Sequence, residues 1–358
     1  MRSSMRALVY HGPNDMAWEE VPKPELVEDT DAIVRVDVTT ICGSDLHILK
    51  GDVPEVTDGR ILGHEAVGTV EAVGAAVRNL RPGDRVLVSC ITACGRCRYC
   101  REARYGQCLE GGGWILGHLI DGTQAEYVRV PFADTSTYPV PAGVADEEIL
   151  MLADIVPTGY EVGVLNGRVQ PGDVVAVVGA GPVGLSAIMG ARLFSPRLVI
   201  AIDLADSRLD AAKRFGANVV VNNSRQDALE VVQELTGGLG ADVAIEAVGT
   251  PVTFELATTL IRPCGHIANI GVHGKPVILH LESLWSADVT ITTGLVDTAS
   301  IPTLLTLVTG KQLDVGGFAT HHFPMDDVIG AYDTFTRAAD TGALKVIITA
   351  EPDAEHEN

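Results

Sequence analysis

Residues 174–184 read Val-Val-Ala-Val-Val-Gly-Ala-Gly-Pro-Val-Gly, an apolar run that passes directly into a G-x-G-x-x-G pattern. Such a run, bounded by glycine, predicts a buried strand, and the apolar residues from Val183 to Phe194 predict a helix. Gly179 permits the tight turn, Gly181 lets the backbone approach a pyrophosphate, and Gly184 allows close helix packing. The helix N-terminus then offers unpaired N–H groups to an anion. The stretch therefore predicts a strand–turn–helix unit that binds a dinucleotide.

The next apolar run along the chain indicates which dinucleotide is bound. It spans 198–202 and ends in Asp203, about 20 residues beyond the glycines. A carboxylate there accepts hydrogen bonds from the hydroxyls of the adenosine ribose and repels a 2′-phosphate. The sequence thus favours NAD over NADP, and Arg208, one helical turn on, either tolerates a phosphate or stacks near the adenine.

Patterns on either side of this unit indicate two kinds of body. From residue 150 to 293 apolar strands alternate with helical patterns, which predicts an α/β, doubly wound parallel sheet. From residue 7 to 140 short β-branched runs broken by Gly, Pro and Asp predict an all-β body. We expect residues 1–155 to form the catalytic domain, 156–295 the nucleotide-binding domain, and 296–358 a segment that returns to the catalytic domain.

Composition and charge restrict the class of partner. The chain has 358 residues and a formal net charge of −21, which repels phosphate backbones and anionic membranes and argues against a nucleic-acid or membrane partner. The hydrophobic fraction is 46%, and no stretch has the length of a signal peptide core or a membrane span. We therefore expect a cytoplasmic protein with a small-molecule substrate.

Four of the seven cysteines are clustered in a lobe at about residues 90–110, with the spacing C-x2-C-x2-C-x7-C. They are Cys94, Cys97, Cys100 and Cys108. Four thiolates close a tetrahedral zinc shell without water, so this pattern predicts a structural zinc site. The alternative is a set of free thiols in a loop.

A second set of residues of metal-binding types is scattered along the chain. Taken alone, each is explained equally well by a purely structural role. Cys42 is compatible with a small buried hydrophobe, and the adjacent pair His64-Glu65 with a core or surface pair. However, residues 41–47, Ile-Cys-Gly-Ser-Asp-Leu-His, followed by Gly-His-Glu at 63–65, resemble the zinc signature of the medium-chain alcohol dehydrogenases. Arg-Pro-Gly-Asp-Arg-Val at 81–86, the cysteine lobe, the glycine pattern and Ala-Leu-Lys-Val at 343–346 follow in that family's order.

The resemblance implies a GroES-like β catalytic domain, a Rossmann domain, and a catalytic zinc. Its ligands would be Cys42, His64 and Asp154, the last in place of a cysteine as in bacterial secondary-alcohol dehydrogenases. Three protein ligands leave one position open for water or an alcohol oxygen. The family further implies a proton relay through Ser44 and His47, and places Glu65 behind the metal.

The resemblance also implies residues that contact cofactor and substrate. A tryptophan in the position of Trp114 lines the substrate pocket of the secondary-alcohol relatives. The implied cofactor contacts are Thr158, Gly179, Gly181, Pro182, Val183, Gly184, Asp203, Arg208, Val248, Gly271, Val272, Leu295 and Lys345.

These residues together predict a zinc- and NAD-dependent alcohol dehydrogenase that interconverts small primary or secondary alcohols with aldehydes or ketones. Relatives of this type imply a homotetramer with two zinc ions per subunit. A 2,3-butanediol or polyol dehydrogenase of the same superfamily is the nearest alternative. A zinc-free enone or quinone reductase is disfavoured by the cysteines and His64, and a non-catalytic sensor by the complete relay.

Overall fold

A computed structural model describes residues 3–350 of the chain. These residues form two compact units: 3–154 together with 297–350, and 155–296. Within the described range, no helix combines the length and apolar character needed to cross a membrane.

The N-terminal part of the first unit is mostly strand. Its strands are β1 (Ser4–Gly12), β2 (Asp15–Pro22), β3 (Ala32–Thr40), β4 (Arg60–Ile61), β5 (Ala66–Val73), β6 (Arg85–Val88), β7 (Tyr127–Val130) and β8 (Thr137–Pro139). Its short helices are α1 (Gly43–Leu49), α2 (Arg98–Arg101), a 3-10 turn (Tyr105–Gln107), α3 (Ala133–Ser136) and α4 (Asp146–Leu150).

The second unit alternates strands with helices, as the sequence predicts. It begins with α5 (Ile155–Thr158) and a π-helix (Gly159–Leu165). The alternating elements are β9 (Val174–Val178), α6 (Pro182–Arg192), β10 (Leu198–Asp203), α7 (Asp206–Arg214), β11 (Val219–Asn222), α8 (Ala228–Thr236), β12 (Ala241–Glu246), α9 (Pro251–Leu260), β13 (Ile261–Asn269), α10 (Leu281–Leu284) and β14 (Thr290–Thr293).

The C-terminal segment belongs to the first unit. Its elements are α11 (Ile301–Thr309), a 3-10 turn (Gly316–Phe318), β15 (Ala319–Pro324), a 3-10 turn (Met325–Asp327), α12 (Val328–Thr336), α13 (Ala338–Thr341) and β16 (Lys345–Thr349).

The second unit contains a six-stranded parallel sheet in the order β11-β10-β9-β12-β13-β14. All five residues of β9 are buried, because a strand in the middle of a sheet with helices on both faces has no solvent side. This arrangement confirms the predicted α/β fold. Its carboxyl edge carries the glycine turn that follows β9.

The first unit is built around a sheet in the order β15-β16-β3-β5-β6-β8, with β7 also paired to β3. Strand β16 lies antiparallel to β3, with Ile347 opposite Thr40. The C-terminal segment therefore returns to the first strands of the chain, and α12 packs into the same apolar core. This pairing brings Lys345 close to Ile41 and Glu65.

Candidate active site

The first site residue lies where β3 ends and α1 begins. Cys42 is the residue before the helix, with an extended backbone, and its N–H donates to Oδ2 of Asp45 at 2.8 Å. A carboxylate three residues into a helix satisfies one of the N–H groups that a helix start leaves unpaired. The turn therefore holds the Cys42 thiol at a defined position.

Two further site residues lie between β4 and β5. His64 is 3% exposed and Glu65 is 1% exposed. They follow Gly63, whose φ of +90° is accessible mainly to glycine and whose carbonyl accepts the N–H of Thr123 at 3.0 Å. A side chain at position 63 would have no room, because its Cβ would lie 2.6 Å from Gln124. The glycine thus lets His64 and Glu65 lie deep in the unit.

The predicted zinc ligands converge in space. Donor atoms of Cys42, His64, Glu65 and Asp154 all lie within 4.8 Å of one another. Asp154 Oδ2 is 3.3 Å from the Cys42 Sγ and 3.5 Å from Nε2 of His64. Ligands at 2.0–2.3 Å from a tetrahedral zinc are separated by roughly 3.3–3.8 Å, so these three residues fit the ion.

The electrostatics of the cluster also favour a cation. Burial raises the pKa of the Cys42 thiol, and the Asp154 charge raises it further. Burial raises the pKa of Glu65 to about 7, against the opposing charge of Lys345. Burial alone would lower the pKa of His64, but contacts with Asp154 and Cys42 hold it well above its ordinary value. Buried acidic groups in this proximity retain their protons unless a cation compensates them, and a divalent metal ion provides that compensation.

One residue behind the ligands was missed by the sequence reasoning. Asp45 is 1% exposed, and its Oδ1 lies 3.6 Å from Nδ1 of His64. A carboxylate in this position orients a ligating imidazole and leaves its other nitrogen for the metal. The available signal was the spacing: an acidic residue three positions after Cys42 at a helix start.

The structure gives Lys345, predicted as a cofactor contact, a buried ion-pair partner. Its side chain is 1% exposed, and its ammonium group lies 2.7 Å from Oε1 of Glu65 and donates to the Ile41 carbonyl at 3.0 Å. A lysine buried in this way requires a counter-charge, and Glu65 supplies it. Lys345 is therefore an ion-pair partner of Glu65, and its contact with a cofactor stays a prediction. Oε1 of Glu65 lies 4.0 Å from Nε2 of His64, and its place behind a bound metal stays a prediction.

The predicted relay and pocket residues also belong to the first unit. Ser44 is half-buried in the first turn of α1, and His47 of the same helix has Nδ1 2.9 Å from Oδ2 of Asp52. Trp114 lies edge-on to the imidazole of His64, with ring centroids 6.2 Å apart. This places Trp114 beside a predicted zinc ligand, and its contact with substrate likewise remains a prediction.

The four clustered cysteines form a separate candidate metal centre. Their sulfur atoms lie within 4.8 Å of one another, and the Cys94 and Cys100 sulfurs are 3.8 Å apart. Thiolates at about 2.3 Å from a tetrahedral zinc are separated by roughly 3.8 Å. Backbone N–H groups from Leu109 and Cys100 lower the pKa of Cys97 to about 6, so this thiol is ionised at neutral pH. The geometry fits a closed structural zinc, and binding would also have to deprotonate Cys100, whose pKa is raised chiefly by burial.

The glycine turn of the second unit is shaped for close backbone approach. Gly179 has a φ of +97°, and Pro182 stands in the first turn of α6. A Cβ on Gly184 would lie 1.9 Å from the Gly179 carbonyl oxygen, so the turn and helix touch directly. By contrast, apart from Gly181 itself and its chain neighbours, no atom of the described residues lies within 4 Å of a Cβ built on Gly181. That open space at a helix N-terminus fits a pyrophosphate.

The Asp203 carboxylate stabilises this turn by accepting backbone hydrogen bonds. Its Oδ2 accepts the N–H of Ala180 at 2.8 Å, and its Oδ1 accepts the N–H groups of Leu204 and Ala205 at 2.7 and 2.9 Å. A carboxylate offers about four acceptor sites, so capacity for a ribose hydroxyl remains. Nη1 of Arg208 is 4.0 Å from Oδ2 of Asp203.

A second residue missed by the sequence reasoning links two other predicted cofactor contacts. Glu246 ends β12, is fully buried, and its Oε1 accepts the N–H groups of Val248 and Gly249 at 2.9 Å. A Cβ on Gly271 would lie 2.4 Å from Oε2 of Glu246, so this turn packs directly on the carboxylate. The side chain of Val272 follows at 63% exposed.

The remaining predicted cofactor contacts are at least partly exposed, and the structure does not bring them together at one site. Val183 is half-buried in the first turn of α6, Thr158 ends α5, and Leu295 is 44% exposed after β14. Their contacts with a cofactor remain predictions.

Comparison with known proteins identifies relatives over both units. Residues 28–142 match the family model described as an alcohol dehydrogenase GroES-like domain, and residues 182–310 match that of a zinc-binding dehydrogenase. An alcohol dehydrogenase from Cupriavidus necator is 38% identical, covering 97% of this chain and 99% of its own length.

Two solved structures share the whole architecture. The apo form of zinc-dependent alcohol dehydrogenase 2 from Streptococcus pneumoniae is 46% identical, with a TM-score of 0.94 and coverage of 98% and 99% of the two chains. An alcohol dehydrogenase from a Thermus species is 37% identical, with a TM-score of 0.90 and coverage of 97% and 100%.

Proposed function

The chain belongs to the zinc-dependent medium-chain alcohol dehydrogenase family, and we propose that it interconverts small primary or secondary alcohols with aldehydes or ketones, using NAD. The observation that carries this proposal is the convergence of Cys42, His64 and Asp154 donor atoms at distances suited to one zinc ion. When bound, zinc supplies a Lewis acid that lowers the pKa of an alcohol, and NAD supplies the two-electron oxidant.

The surrounding side chains then orient the substrate and remove its proton. Trp114 provides an apolar wall next to His64, against which the carbon chain of an alcohol packs. Ser44 takes up the hydroxyl proton as it gives up its own, and His47, at the outer end of the relay, passes a proton to solvent. The contact between Nδ1 of His47 and Asp52 leaves Nε2 as the group that exchanges the proton.

The second unit is proposed as the NAD-binding domain, and residues 3–154 with 297–350 as the catalytic domain. The open space at Gly181 and the carboxylate of Asp203 support NAD as the cofactor. The cysteine lobe is proposed to hold the second zinc. We further propose a cytoplasmic location, because seven free thiols, four of them in one metal cluster, suit a reducing compartment.

We propose that copies of the chain associate, ultimately as a homotetramer, through an apolar strip in the second unit. The strip consists of Val277, Ile278, Leu279, Leu281 and Trp285, with Trp285 77% exposed and Ile278 63% exposed. It leads into β14, an edge strand, and edge strands pair readily with a second chain. Residues 276–287 contain one formally charged side chain, Glu282, so two copies of this acidic protein meet there with little repulsion.

A face that meets its own copy about a two-fold axis provides one of the two interfaces that a tetramer with dihedral symmetry requires. The state of association is measured by light scattering on a sizing column. Trp285→Glu is expected to reduce the assembly to a smaller species, and Leu239→Glu, at another exposed leucine of the same unit, should leave it unchanged. An assembly unaffected by Trp285→Glu would exclude the strip as an interface.

The activity is tested by NADH formation with ethanol, 2-propanol, 2,3-butanediol and benzyl alcohol, with NAD and NADP compared. Turnover with NAD that vanishes on chelation and returns with zinc supports the proposal, and the ranking separates simple alcohols from diols. A zinc-loaded sample that binds NADH but oxidises none of these alcohols contradicts it.

A further inference from the structure

A second row of buried polar side chains lies behind the zinc ligands of the first unit. Tyr332 of α12 is 1% exposed, and its hydroxyl donates to Oε1 of Gln124 at 2.8 Å. Gln124 is also 1% exposed, and its Nε2 donates to the Thr40 carbonyl at 3.0 Å and to Oδ2 of Asp45 at 3.1 Å. Every polar atom of the Gln124 side chain therefore has a partner.

These partners determine which way the Gln124 amide points. A carboxamide has one acceptor oxygen and one donor nitrogen, and only one orientation suits a hydroxyl donor on one side and two oxygen acceptors on the other. Burial raises the pKa of Tyr332 well above its ordinary value, so the hydroxyl keeps the proton that it donates. Without that hydroxyl, Oε1 would be buried without a donor, and rotation of the amide would turn it toward the Asp45 carboxylate.

Asp45 connects this row to the metal ligands. Its Oδ2 accepts the backbone N–H of Cys42 at 2.8 Å, and its Oδ1 lies 3.6 Å from Nδ1 of His64. A shift of the carboxylate therefore changes the position of both ligands at once.

We propose that Tyr332 and Gln124 are positioning residues of the zinc site. By holding Asp45, they orient Cys42 and His64 toward the ion. The inference rests on the proposed catalytic zinc but not on the identity of the alcohol.

Packing alone does not account for this arrangement. Tyr332 lies among apolar neighbours of the core, including Val328, Ala331 and Phe335. Apolar side chains of similar volume would fill the same space, whereas a buried hydroxyl and carboxamide cost free energy unless each is satisfied. The Tyr332 hydroxyl and the Gln124 amide hydrogen-bond to each other, and the amide also donates to Asp45 and to the Thr40 carbonyl. The row thus provides a fixed frame that extends from α12 to the ligands.

The test compares zinc loss from both sites of the same holoenzyme. Excess chelator is added to zinc-loaded protein, a metal-sensitive dye follows release, and a Cys97→Ser variant identifies the phase from the cysteine lobe. We expect Tyr332→Phe and Gln124→Met each to accelerate release from the Cys42–His64–Asp154 site by about 10-fold or more, as for other residues that orient metal ligands. Release from the cysteine lobe should not change.

Two further measurements separate positioning from general stability. Tyr138→Phe is the matched control, because its hydroxyl donates to the Thr298 carbonyl at 3.2 Å in the same unit and has no part in the row. The double variant of Tyr332 and Gln124 should release zinc little faster than the more severe single variant, because both act through Asp45. With cobalt in the site, both single variants should alter the visible absorption of the ion, and Tyr138→Phe should not.

Several outcomes would overturn the inference. Equal acceleration of both release phases would indicate a general loss of stability, and unchanged release from the first site in folded variants would indicate packing alone. If Tyr332→Phe does not fold, Gln124→Met decides the question by the same readout. These measurements follow the metal and need no alcohol substrate. They therefore remain interpretable even if the proposed substrate class is wrong.

Discussion

The Nζ atom of Lys345 lies 2.7 Å from Oε1 of Glu65, with both side chains 1% exposed, although 280 positions separate the two residues in the chain. The pair forms because β16 lies beside β3 and carries Lys345 to the back of the zinc ligands. Removing one partner of a buried ion pair costs far more folding free energy than replacing both partners with apolar residues, because the remaining charge is left buried and unpaired.

Replacing Lys345 with Met should therefore lower the free energy of unfolding by about 3–5 kcal/mol, because the Glu65 carboxylate would lose its ion-pair partner and the Ile41 carbonyl its donor. Urea denaturation of the zinc-loaded protein measures the loss. The double variant Lys345→Met/Glu65→Gln should recover most of it. A single variant that loses less than about 1 kcal/mol would be inconsistent with a tightly buried pair.

The stability of the metal-free protein should depend on pH through Glu65. Burial raises the pKa of this carboxyl from 4.5 to about 7 in the folded chain, so between these values the folded state holds a proton that the unfolded state has lost. Stability must then fall as the pH rises from about 4.5 to 7, by at most about 1.4 kcal/mol per pH unit from this group. Urea titrations of wild type and Glu65→Gln isolate the slope, and identical slopes would contradict the assignment.

Two glycines of the turn after β9 should respond differently to alanine. At Gly181 the added methyl group enters open space, so Gly181→Ala should weaken NADH binding by about tenfold or more while leaving the unfolding temperature unchanged. At Gly184 the methyl group would lie 1.9 Å from a backbone oxygen, so Gly184→Ala should lower the unfolding temperature itself. NADH fluorescence titration and calorimetry measure the two effects. Equal behaviour of the two variants would argue against a cofactor in the open space.

The cysteine lobe should depend on its metal for stability. Cys97→Ser removes one of four ligands, so the zinc content should fall by one ion per chain and the unfolding temperature should fall with it. Metal analysis and calorimetry check both results. The exposed Cys264 is the matched control, and Cys264→Ser should retain all the zinc. Full zinc content in Cys97→Ser would rule out a four-cysteine site.

Asp203 should determine the choice of cofactor. Asp203→Ser removes the carboxylate that repels a 2′-phosphate, so the ratio of kcat/KM for NAD to that for NADP should fall by a factor of ten or more, about 1.4 kcal/mol. Part of the lost NAD activity will reflect the N–H of Ala180, which then loses its acceptor. The ratio of the two cofactors removes that shared effect. An unchanged ratio would mean that another group excludes the phosphate.

Much of the fold and part of the site could be predicted from short-range patterns. The strand and glycines of residues 174–184 are adjacent in the chain, and Cys94 to Cys108 lie within one lobe, so spacing alone indicates what they bind. The alternation of strands and helices likewise predicted the parallel sheet. Cys42, His64 and Asp154 required a family resemblance, because no local spacing relates three residues that lie so far apart.

The tertiary structure alone decided which buried groups meet. Asp45 faces His64, Gln124 donates to Asp45 and accepts from Tyr332, and Lys345 pairs with Glu65. Each contact depends on the pairing of distant strands, chiefly β16 with β3, and such pairing is set by the packing of the whole core. Local sequence determines the conformation and the chemical groups of a segment. A polar group removed from water must find a partner inside the protein. The partner of a buried charge or amide is therefore determined by where distant segments of the chain place their polar groups.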